Sequence, residues 1–313
     1  MMPHIQSIIH PAGVQAAHVS RLWWVMFWVC ATVWCAVALA AAIAIARGRR
    51  GASSASDTQL GRAVAVAGGI SLVALVVLLF HSVVTGRALD ALRAPDALRI
   101  QVTANQWWWD IQYVTADPSL RVTTANEIHI PVGRPVRFDL LSTDVIHSLW
   151  IPNLQGKIDL VPGRLNELWL RADTAGVYRG QCAEYCGLQH ANMALVVVAE
   201  PSDDFERWLA ASRAPAPAPA TPEQQRGKAI VERGPCAMCH TIAGTPAGGR
   251  MGPDLTHIAS RSTIGAGTLP NTRGHLAGWI VDPQAIKPGN RMPPPGLSGE
   301  ELQAVIAYLE MLK

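Results

Sequence analysis

The stretch CAEYCGLQHANM, residues 182–193, places two cysteines, a histidine and a methionine in one short segment. A blue-copper site needs one cysteine, two histidines and a weak axial methionine. Cys186, His190 and Met193 have about that spacing, and Cys182 adds a second thiolate. A structural zinc site would instead need a closed set of four ligands. Two thiolates in one loop are expected if two copper ions share both sulfurs. Each copper ion then needs its own histidine, and because the loop contains only His190, the second histidine must come from elsewhere in the chain.

His147 is the candidate for that second histidine. It lies in the segment STDVIHSLWIP, directly after a strand-like stretch and well before Cys182 in the chain. Each copper ion would then have one histidine of its own and one weak axial ligand. The residues therefore predict a dinuclear copper site assembled from a strand end and a loop.

A third cysteine pair lies in CAMCH, residues 236–240, which has the C-x-x-C-H pattern of covalent haem attachment. Cys236 and Cys239 are one turn apart and can add to the two vinyl groups of a haem, and His240 then reaches the iron. A redox dithiol or half of a zinc site is the alternative. No further cysteine pair follows and no thioredoxin-like βαβ pattern surrounds the motif, so the sequence predicts haem c.

The sixth iron ligand is predicted to be Met292, on the proline-stiffened segment KPGNRMPPP. Methionine opposite histidine raises the reduction potential, as an electron carrier that delivers to an oxidant requires. The alternative is that Met292 only packs, and that Met251, His257 or His275 binds the iron.

Composition limits the class of protein. The chain has 313 residues, a formal net charge of +3 and no long basic run, so its charge does not indicate nucleic-acid binding. The six cysteines fall in three pairs rather than scattering as a disulfide framework would. Cys30 and Cys35 lie in an apolar run, and we interpret them as apolar packing residues.

Two apolar stretches, 22–46 and 63–86, contain no Asp, Glu, Lys or Arg and are long enough to cross a bilayer as helices. The segment between them, 47–62, has four arginines and one aspartate, whereas residues 87–96 are neutral. The charged residues of the first segment are Arg47, Arg49, Arg50, Arg62 and Asp57. By the positive-inside rule we expect a bacterial inner-membrane, multi-pass protein whose two termini and redox domains are periplasmic.

The chain divides into four parts by pattern. Residues 1–96 hold the N-terminal segment and the two spans. Residues 97–205 contain short β-branched and aromatic runs bounded by Gly and Pro, which predict a small β-sandwich or barrel. Residues 206–221 end in alternating Ala and Pro and predict a linker. Its Ala-Pro stretch, 211–221, is predicted to be extended and roughly 30 Å long for about ten residues at about 3.1 Å per residue. Residues 222–313 are predicted to be helical.

Four motifs in order, QWWWDIQY, TDVIHSLW, KIDLVPGR and YRGQCAEYCGLQHANM, resemble subunit II of cytochrome c oxidase. The resemblance covers residues 15–200. The C-terminal part, with GPDL, KPGNRMP and a final helix, is similar to class I cytochrome c over about 90 residues. The combined resemblance implies a transmembrane two-helix hairpin, an all-β cupredoxin-like barrel and an all-α class I cytochrome c domain, as in caa-type haem-copper oxidases.

The resemblance also implies roles for residues. The ligands of the family's dinuclear CuA centre would be His147, Cys182, Cys186, His190 and Met193, with the backbone carbonyl of Glu184. The Glu184 side chain would hold magnesium at the contact with subunit I. Trp107 matches the tryptophan at which electrons enter the subunit, although QWWW is also typical of a half-buried aromatic strand. Asp144 and Arg164 match motif positions near the subunit I interface, without an assigned role.

The function implied is electron transfer from cytochrome c or a quinol-cytochrome c reductase to haem c, then to CuA, then to subunit I. Oxygen would there be reduced to water with proton translocation. Partners would be subunits I and III and membrane lipid, with no nucleic acid. Alternatives are a CuA-bearing nitric or nitrous oxide reductase, a copper chaperone, and a relay without a fixed oxidase. In one departure from the family, residues 51–70 contain no Glu before the second span, where Asp57 is the available carboxylate.

Overall fold

The structure is a computed structural model that describes residues 6–49, 56–90 and 93–313. The chain forms two compact units. One consists of residues 17–93, and the other combines the N-terminal residues up to Ala16 with residues 94–313. Arg50, part of the predicted positive segment, lies outside the described residues.

The first unit contains two long apolar helices, α1 (Val14–Arg49) and α2 (Asp57–Asp90). Both are long and apolar enough to cross a membrane, with mean hydropathies of 2.4 and 2.7. They extend beyond the predicted spans 22–46 and 63–86 at both ends. A helix of this length reaches roughly 50 Å, so its polar ends extend past a hydrocarbon core of about 30 Å.

The residues that precede the apolar part of α1 pair with the β domain. Gly13 forms an antiparallel bridge with Ala172, and the backbone N–H of Ala12 donates to the Asn153 carbonyl at 2.7 Å. The Gln15 side chain accepts from the Arg171 N–H at 3.0 Å. The N-terminal segment is therefore an additional edge of the β domain.

The β domain is a sandwich of two five-stranded sheets. The first sheet contains β1 (Leu98–Asn105), β2 (Trp108–Tyr113), β3 (Val122–Ala125), β5 (Val136–Ser142) and β8 (Asn166–Leu170). The second contains β4 (Glu127–Pro131), β6 (His147–Trp150), β7 (Ile158–Leu160), β9 (Gly176–Cys182) and β10 (Ala194–Glu200). The strand orders are β3-β2-β1-β5-β8 and β4-β10-β9-β6-β7.

Alternation along the strands explains how the two sheets pack. In β1 and β2 every second residue is buried, as expected when one face of a sheet covers a core. Ile100, Trp109, Ile111 and Phe138 are fully buried between the sheets. The pairs β1–β5 and β4–β10 are parallel, and the other pairs are antiparallel. The predicted cupredoxin-like β fold is confirmed.

The predicted linker, 206–221, overlaps a helix that the sequence interpretation missed. Helix α3 (Ser202–Ser212) packs on the sandwich through Phe205 and Leu209, which are buried in its core. Trp208 on the same helix stacks on His129 with ring centroids 4.1 Å apart. These three residues share one helix face, and burying them favours helix over an extended linker. The helix ends at Ser212, within the predicted linker.

The C-terminal domain is helical, as predicted. Its helices are α4 (Pro222–Arg233), α5 (Cys236–Cys239), α6 (Arg273–Val281), α7 (Pro283–Ile286) and α8 (Gly299–Leu309), and a short hairpin joins β11 (Thr263–Ile264) to β12 (Leu269–Pro270). Capping boxes start α4 at Thr221 and α8 at Ser298. The apolar face of α8 is buried in this domain's own core.

Helices α4 and α8 approach each other most closely at Gly227. A Cβ at Gly227 would lie 1.9 Å from the carbonyl oxygen of Ala304 and 2.9 Å from the Cβ of Tyr308. Because Gly227 has no side chain, α4 and α8 can pack at this short distance.

We expect Gly227→Ala to destabilise the C-terminal domain by about 2 kcal/mol or more, because the backbone of α8 must move to make room. The measurement is the thermal unfolding of this domain in the full chain, followed by haem absorbance. Gly278→Ala in α6 is the matched control, since a Cβ there meets nothing within 4 Å. That variant should be neutral or more stable by about 0.5–1 kcal/mol. Equal stability of the two variants would contradict the packing argument.

Candidate dicopper and haem sites

The two loop sulfurs lie side by side under the surface of the sandwich. Cys182 is the last residue of β9, and its Sγ is 3.7 Å from the Sγ of Cys186. Both side chains are buried. The Cys182 N–H donates to the Met193 carbonyl at 2.8 Å, which ties the start of the loop to its end. The loop is therefore held closed with both thiols pointing to one place.

His190 and Met193 complete the side of the site nearest to Cys186. The Cys186 Sγ is 3.6 Å from His190 Nδ1 and 3.9 Å from Met193 Sδ. His190 starts a short 3₁₀ turn, His190–Asn192, which turns the chain back toward β10. Met193 is fully buried. The structure thus brings together all four side chains that the loop pattern selected.

His147 approaches from the neighbouring strand. It begins β6, which pairs with β9, and its Nδ1 lies 3.8 Å from the Cys182 Sγ. Its Nε2 is 2.8 Å from Asp144 Oδ1. Because a carboxylate only accepts, Nε2 carries the proton and Nδ1 presents its lone pair toward the sulfurs. The Glu184 carbonyl oxygen lies 3.3 Å from the Cys182 Sγ.

The donor set fits copper. His147, Cys182 and Cys186 are close enough that their ligand atoms lie within 4.8 Å of one another. Thiolate, thioether and imidazole donors select copper ions over hard cations, and the buried setting excludes water. Hydrogen bonding between the thiols lowers the pKa of Cys182 and raises that of Cys186, so the two sulfurs share a proton. Metal binding would displace this proton.

Trp107 lies against the copper loop, which is the segment 182–193 that contains the candidate ligands Cys182, Cys186, His190 and Met193. It occupies the two-residue turn between β1 and β2, and its side chain is 9% exposed. Its indole Nε1 donates to the Cys186 carbonyl oxygen at 2.9 Å, and the Gln106 side-chain Nε2 donates to the same oxygen at 2.8 Å. The Gln106 N–H donates to Asp144 Oδ2 at 2.7 Å. The turn is thus joined both to a cysteine and to the carboxylate behind His147.

The Glu184 side chain, unlike the buried cysteine side chains of the copper loop, is partly exposed to solvent. Its carboxylate is about half exposed and lies 3.5 Å from the Lys157 Nζ. Magnesium prefers near-octahedral oxygen coordination, usually with several waters and one or two carboxylates. A magnesium site at Glu184 stays a prediction.

The haem motif has the geometry that covalent attachment needs. Cys236 and Cys239 are the two ends of the one-turn helix α5, and both are free, half-buried thiols. His240 follows, and its Nδ1 donates to the Pro253 carbonyl oxygen at 2.7 Å. Its Nε2 lone pair is thereby left for an iron atom. A Cβ on Gly252 would lie 2.7 Å from the imidazole, so the glycine leaves the space that the ring occupies.

The candidates for the sixth ligand differ in their surroundings. The backbone of Met292 is fixed, because its N–H donates to Asn290 Oδ1 at 2.8 Å and its carbonyl accepts from Gln284 at 2.9 Å. Met251 is 71% exposed. Both ring nitrogens of His257 face backbone carbonyls, at 2.9 and 3.1 Å. His275 is exposed and its Nδ1 contacts the Thr272 hydroxyl. This pattern favours Met292.

Sequence reasoning missed two residues that connect to these sites. Asp144 was noted without a role, although its position three residues before His147 is the signal for a carboxylate that orients a ligand. Lys287 was not noted as a contact residue. It is buried and its Nζ donates to the carbonyl oxygens of Trp107 and Gly265, at 2.8 and 2.9 Å. Burial lowers the pKa of Lys287 to about 7.

Comparison with known proteins gives the family. Residues 115–200 match the family model described as cytochrome c oxidase subunit II, periplasmic domain, and residues 224–313 match cytochrome c. Cytochrome c oxidase subunit 2 of Alkalihalophilus pseudofirmus is 39% identical over 246 residues, which are 76% of this chain and 70% of that protein. The corresponding subunit of Bacillus sp. (strain PS3) is 34% identical over 72% of this chain and 65% of its own length.

One solved structure is similar to part of this chain. The crystal structure of the periplasmic domain of subunit II of cytochrome oxidase of Bradyrhizobium japonicum is 31% identical, covering 39% of this chain and 97% of that one, with a TM-score of 0.36. The assignment depends on the sequence identities and on the two family matches in one chain. The chain belongs to the cytochrome c oxidase subunit 2 family and carries a cytochrome c domain after its cupredoxin-like domain.

Proposed function

We propose that this chain carries electrons from its own haem c to a dinuclear CuA centre and on to subunit I of a respiratory oxidase. Oxygen is reduced to water in subunit I, with proton translocation. The site residues are those that the sequence selected. His147, Cys182, Cys186, His190, Met193 and the Glu184 carbonyl hold copper, Cys236 and Cys239 bind haem, and His240 and Met292 are the axial ligands.

The observation that carries the proposal is the position of Trp107 between the two sites. On one side its indole donates to the Cys186 carbonyl oxygen at 2.9 Å. On the other side lies the segment that precedes Met292, where a Cβ on Gly289 would be 3.8 Å from the indole ring. A single side chain therefore donates a hydrogen bond to the copper loop and lies next to the loop that carries the proposed axial methionine. We assign Trp107 the role of receiving electrons from this chain's own haem.

A second connection between the sites runs through Asp144. Its Oδ1 accepts from His147, and its Oδ2 lies 3.8 Å from a guanidinium nitrogen of Arg291. Arg291 directly precedes Met292. The carboxylate thus orients a candidate copper ligand while it pairs with the neighbour of a candidate haem ligand. This contact supports short-range transfer between the two centres.

The membrane topology in the proposal has support from the N-terminal segment. Residues 12–16 hydrogen-bond with the β domain, which follows α2 in the chain. Such contacts require both ends of the two spans to be on the same side of the membrane. Together with the positive segment at 47–62, this supports periplasmic termini and redox domains in a bacterial inner membrane. Subunit III, a cytochrome c or quinol-cytochrome c reductase donor and magnesium at Glu184 belong to the same proposal.

The central test is Cys186→Ser in the purified oxidase complex. We expect loss of the near-infrared dicopper absorbance and a fall in oxygen consumption of at least 100-fold, with the haem c retained. Because electrons would stop at the haem, it should stay reduced during steady-state turnover with the donor. Cys30→Ser is the matched control, since this free thiol lies in α1, far along the chain from the copper loop. It should change neither copper content nor turnover.

Three results would contradict the proposal. Oxidised haem c in the Cys186→Ser complex during turnover would mean that electrons do not pass from haem to copper. A complex that consumes nitric oxide but not oxygen would favour the denitrification alternative. Fewer than two copper atoms per chain in the wild type would contradict the dinuclear site itself.

We expect Met292→His to lower the reduction potential of haem c, because thioether ligation favours the ferrous state. The shift should be a substantial fraction of the roughly 0.8 V range that axial ligands control. A spectroelectrochemical titration measures it. Met251→His changes an exposed methionine of the same domain in the same way and should leave the potential unaltered. The opposite result, a shift only in Met251→His, would reassign the ligand.

We expect Asp144→Asn to weaken copper binding by about 10–100-fold. Each carboxylate oxygen accepts from a donor near the copper site, Oδ1 from His147 Nε2–H and Oδ2 from the Gln106 N–H. An asparagine offers one accepting oxygen and one donating amide, so one partner must lose its acceptor. Copper titration against a competing chelator measures the effect, and Asp173→Asn, at an exposed carboxylate, is the control. Equal affinities of the two variants would show that Asp144 does not orient the ligand.

A further inference from the structure

Lys287 is a buried lysine that joins the haem domain to the copper domain. Its side chain is 2% exposed, and its Nζ donates to the Trp107 carbonyl at 2.8 Å and to the Gly265 carbonyl at 2.9 Å. Trp107 belongs to the copper domain and Gly265 to the haem domain. Among the residues that the structure describes, Lys287 forms no ion pair. Burying an ammonium without a carboxylate is costly, so its retention requires specific hydrogen bonds.

The Trp107 carbonyl needs a donor from outside its own hairpin. Residues 106 and 107 form the turn between β1 and β2, and the strand ladder pairs Asn105 with Trp108 on either side of it. The side chains of the turn contact the copper loop, because Gln106 and Trp107 both donate to the Cys186 carbonyl. Lys287 therefore binds the backbone of the same turn whose side chains bind the copper loop.

Other hydrogen bonds between the two domains surround this contact. The Gln189 side chain donates to the Pro288 carbonyl at 2.8 Å, and the Ala194 N–H donates to the Ala266 carbonyl at 2.9 Å. Farther along the sheet, the Ser262 N–H donates to the Glu127 carboxylate at 3.0 Å. These contacts use backbone groups of the haem domain, which fix orientation more closely than surface charges do.

We infer that Lys287 is a positioning residue that holds the haem domain against the Gln106–Trp107 turn by hydrogen bonds. This turn is then the surface on which the haem domain docks within the same chain. The inference rests on the proposed function and adds to it the contact that sets the transfer geometry. In a chain that was only tethered, the haem would reach the copper site by diffusion within the reach of the linker. In the docked chain, Lys287 holds the segment before Met292 against Trp107.

The test uses the purified complex. Haem c is reduced by a fast photochemical pulse, and the dicopper absorbance is followed. Lys287→Met keeps the length of the side chain but removes its donors and leaves the Trp107 carbonyl buried without a partner. Because hydrogen bonds from a charged donor are lost, we expect the first-order transfer rate to fall by on the order of tenfold or more. The spectra and the reduction potentials of both centres should not change.

The matched control is Lys228→Met. Lys228 lies on α4 of the same domain, and its Nζ pairs with Glu232 at 3.7 Å, in a helical i,i+4 contact. The Lys228→Met variant should transfer electrons from haem c to copper at the wild-type rate. The KM for an external donor should be the same in both variants, because the donor reduces the haem and not the docked turn. If Lys287→Met loses either centre, Lys287→Gln is measured in its place against the same threshold.

A Lys287→Met rate within twofold of the wild type, with both centres intact, would overturn the inference and leave the proposed function standing. Absence of any copper reduction after haem reduction in the wild type would instead overturn the proposed function. The two failures are therefore distinguishable in one experiment.

Discussion

Cys186 connects the two redox regions of the chain through two different groups. Its Sγ lies 3.6–3.9 Å from Cys182, His190 and Met193, whereas its carbonyl oxygen accepts hydrogen bonds from Gln106 and Trp107. A change in the backbone at this residue would displace the sulfur and the turn together. The proposed copper ligands and the Gln106–Trp107 turn are consequently joined through one residue, and in the proposed function this preorganised geometry would keep reorganisation small during electron transfer.

The sequence predicted the parts of the molecule that depend on local pattern. Ligand spacing identified the copper loop and the haem motif, and β-branched and aromatic runs bounded by Gly and Pro identified the β domain. The C-terminal domain was predicted to be helical, and the structure has helices there that start with capping boxes at Thr221 and Ser298. Helix α3 was missed because the Ala-Pro repeat that follows it dominated the interpretation. Phe205, Trp208 and Leu209 were at helical spacing and were the available signal.

Contacts between distant segments could not be predicted in the same way. Lys287 and Trp107 are separated by 180 residues, and nothing local distinguishes Lys287 from an exposed lysine. The pairing of Arg291 with Asp144 has the same character. Such pairs arise from the way two finished domains fit together, so composition, periodicity and spacing carry no information about them. Asp144 is intermediate, since it lies only three residues before His147; the sequence analysis assigned it no role, but this spacing was the available signal for an orienting carboxylate.

Part of the predicted linker is bound to the haem domain, so the freely moving segment is shorter than the sequence suggested. After α3, the Ala216 N–H donates to the Ala243 carbonyl at 3.0 Å, and the Ala214 carbonyl lies 3.1 Å from His257 Nε2. The first residues after α3 therefore lie along the haem domain, and the chain free to swing is shorter than the Ala-Pro repeat. A short free segment lowers the entropy lost on docking, since the undocked haem domain already explores a small volume. The tether and the Lys287 contact thus act on the same equilibrium: the tether limits the undocked states, and the lysine selects one orientation among the docked ones.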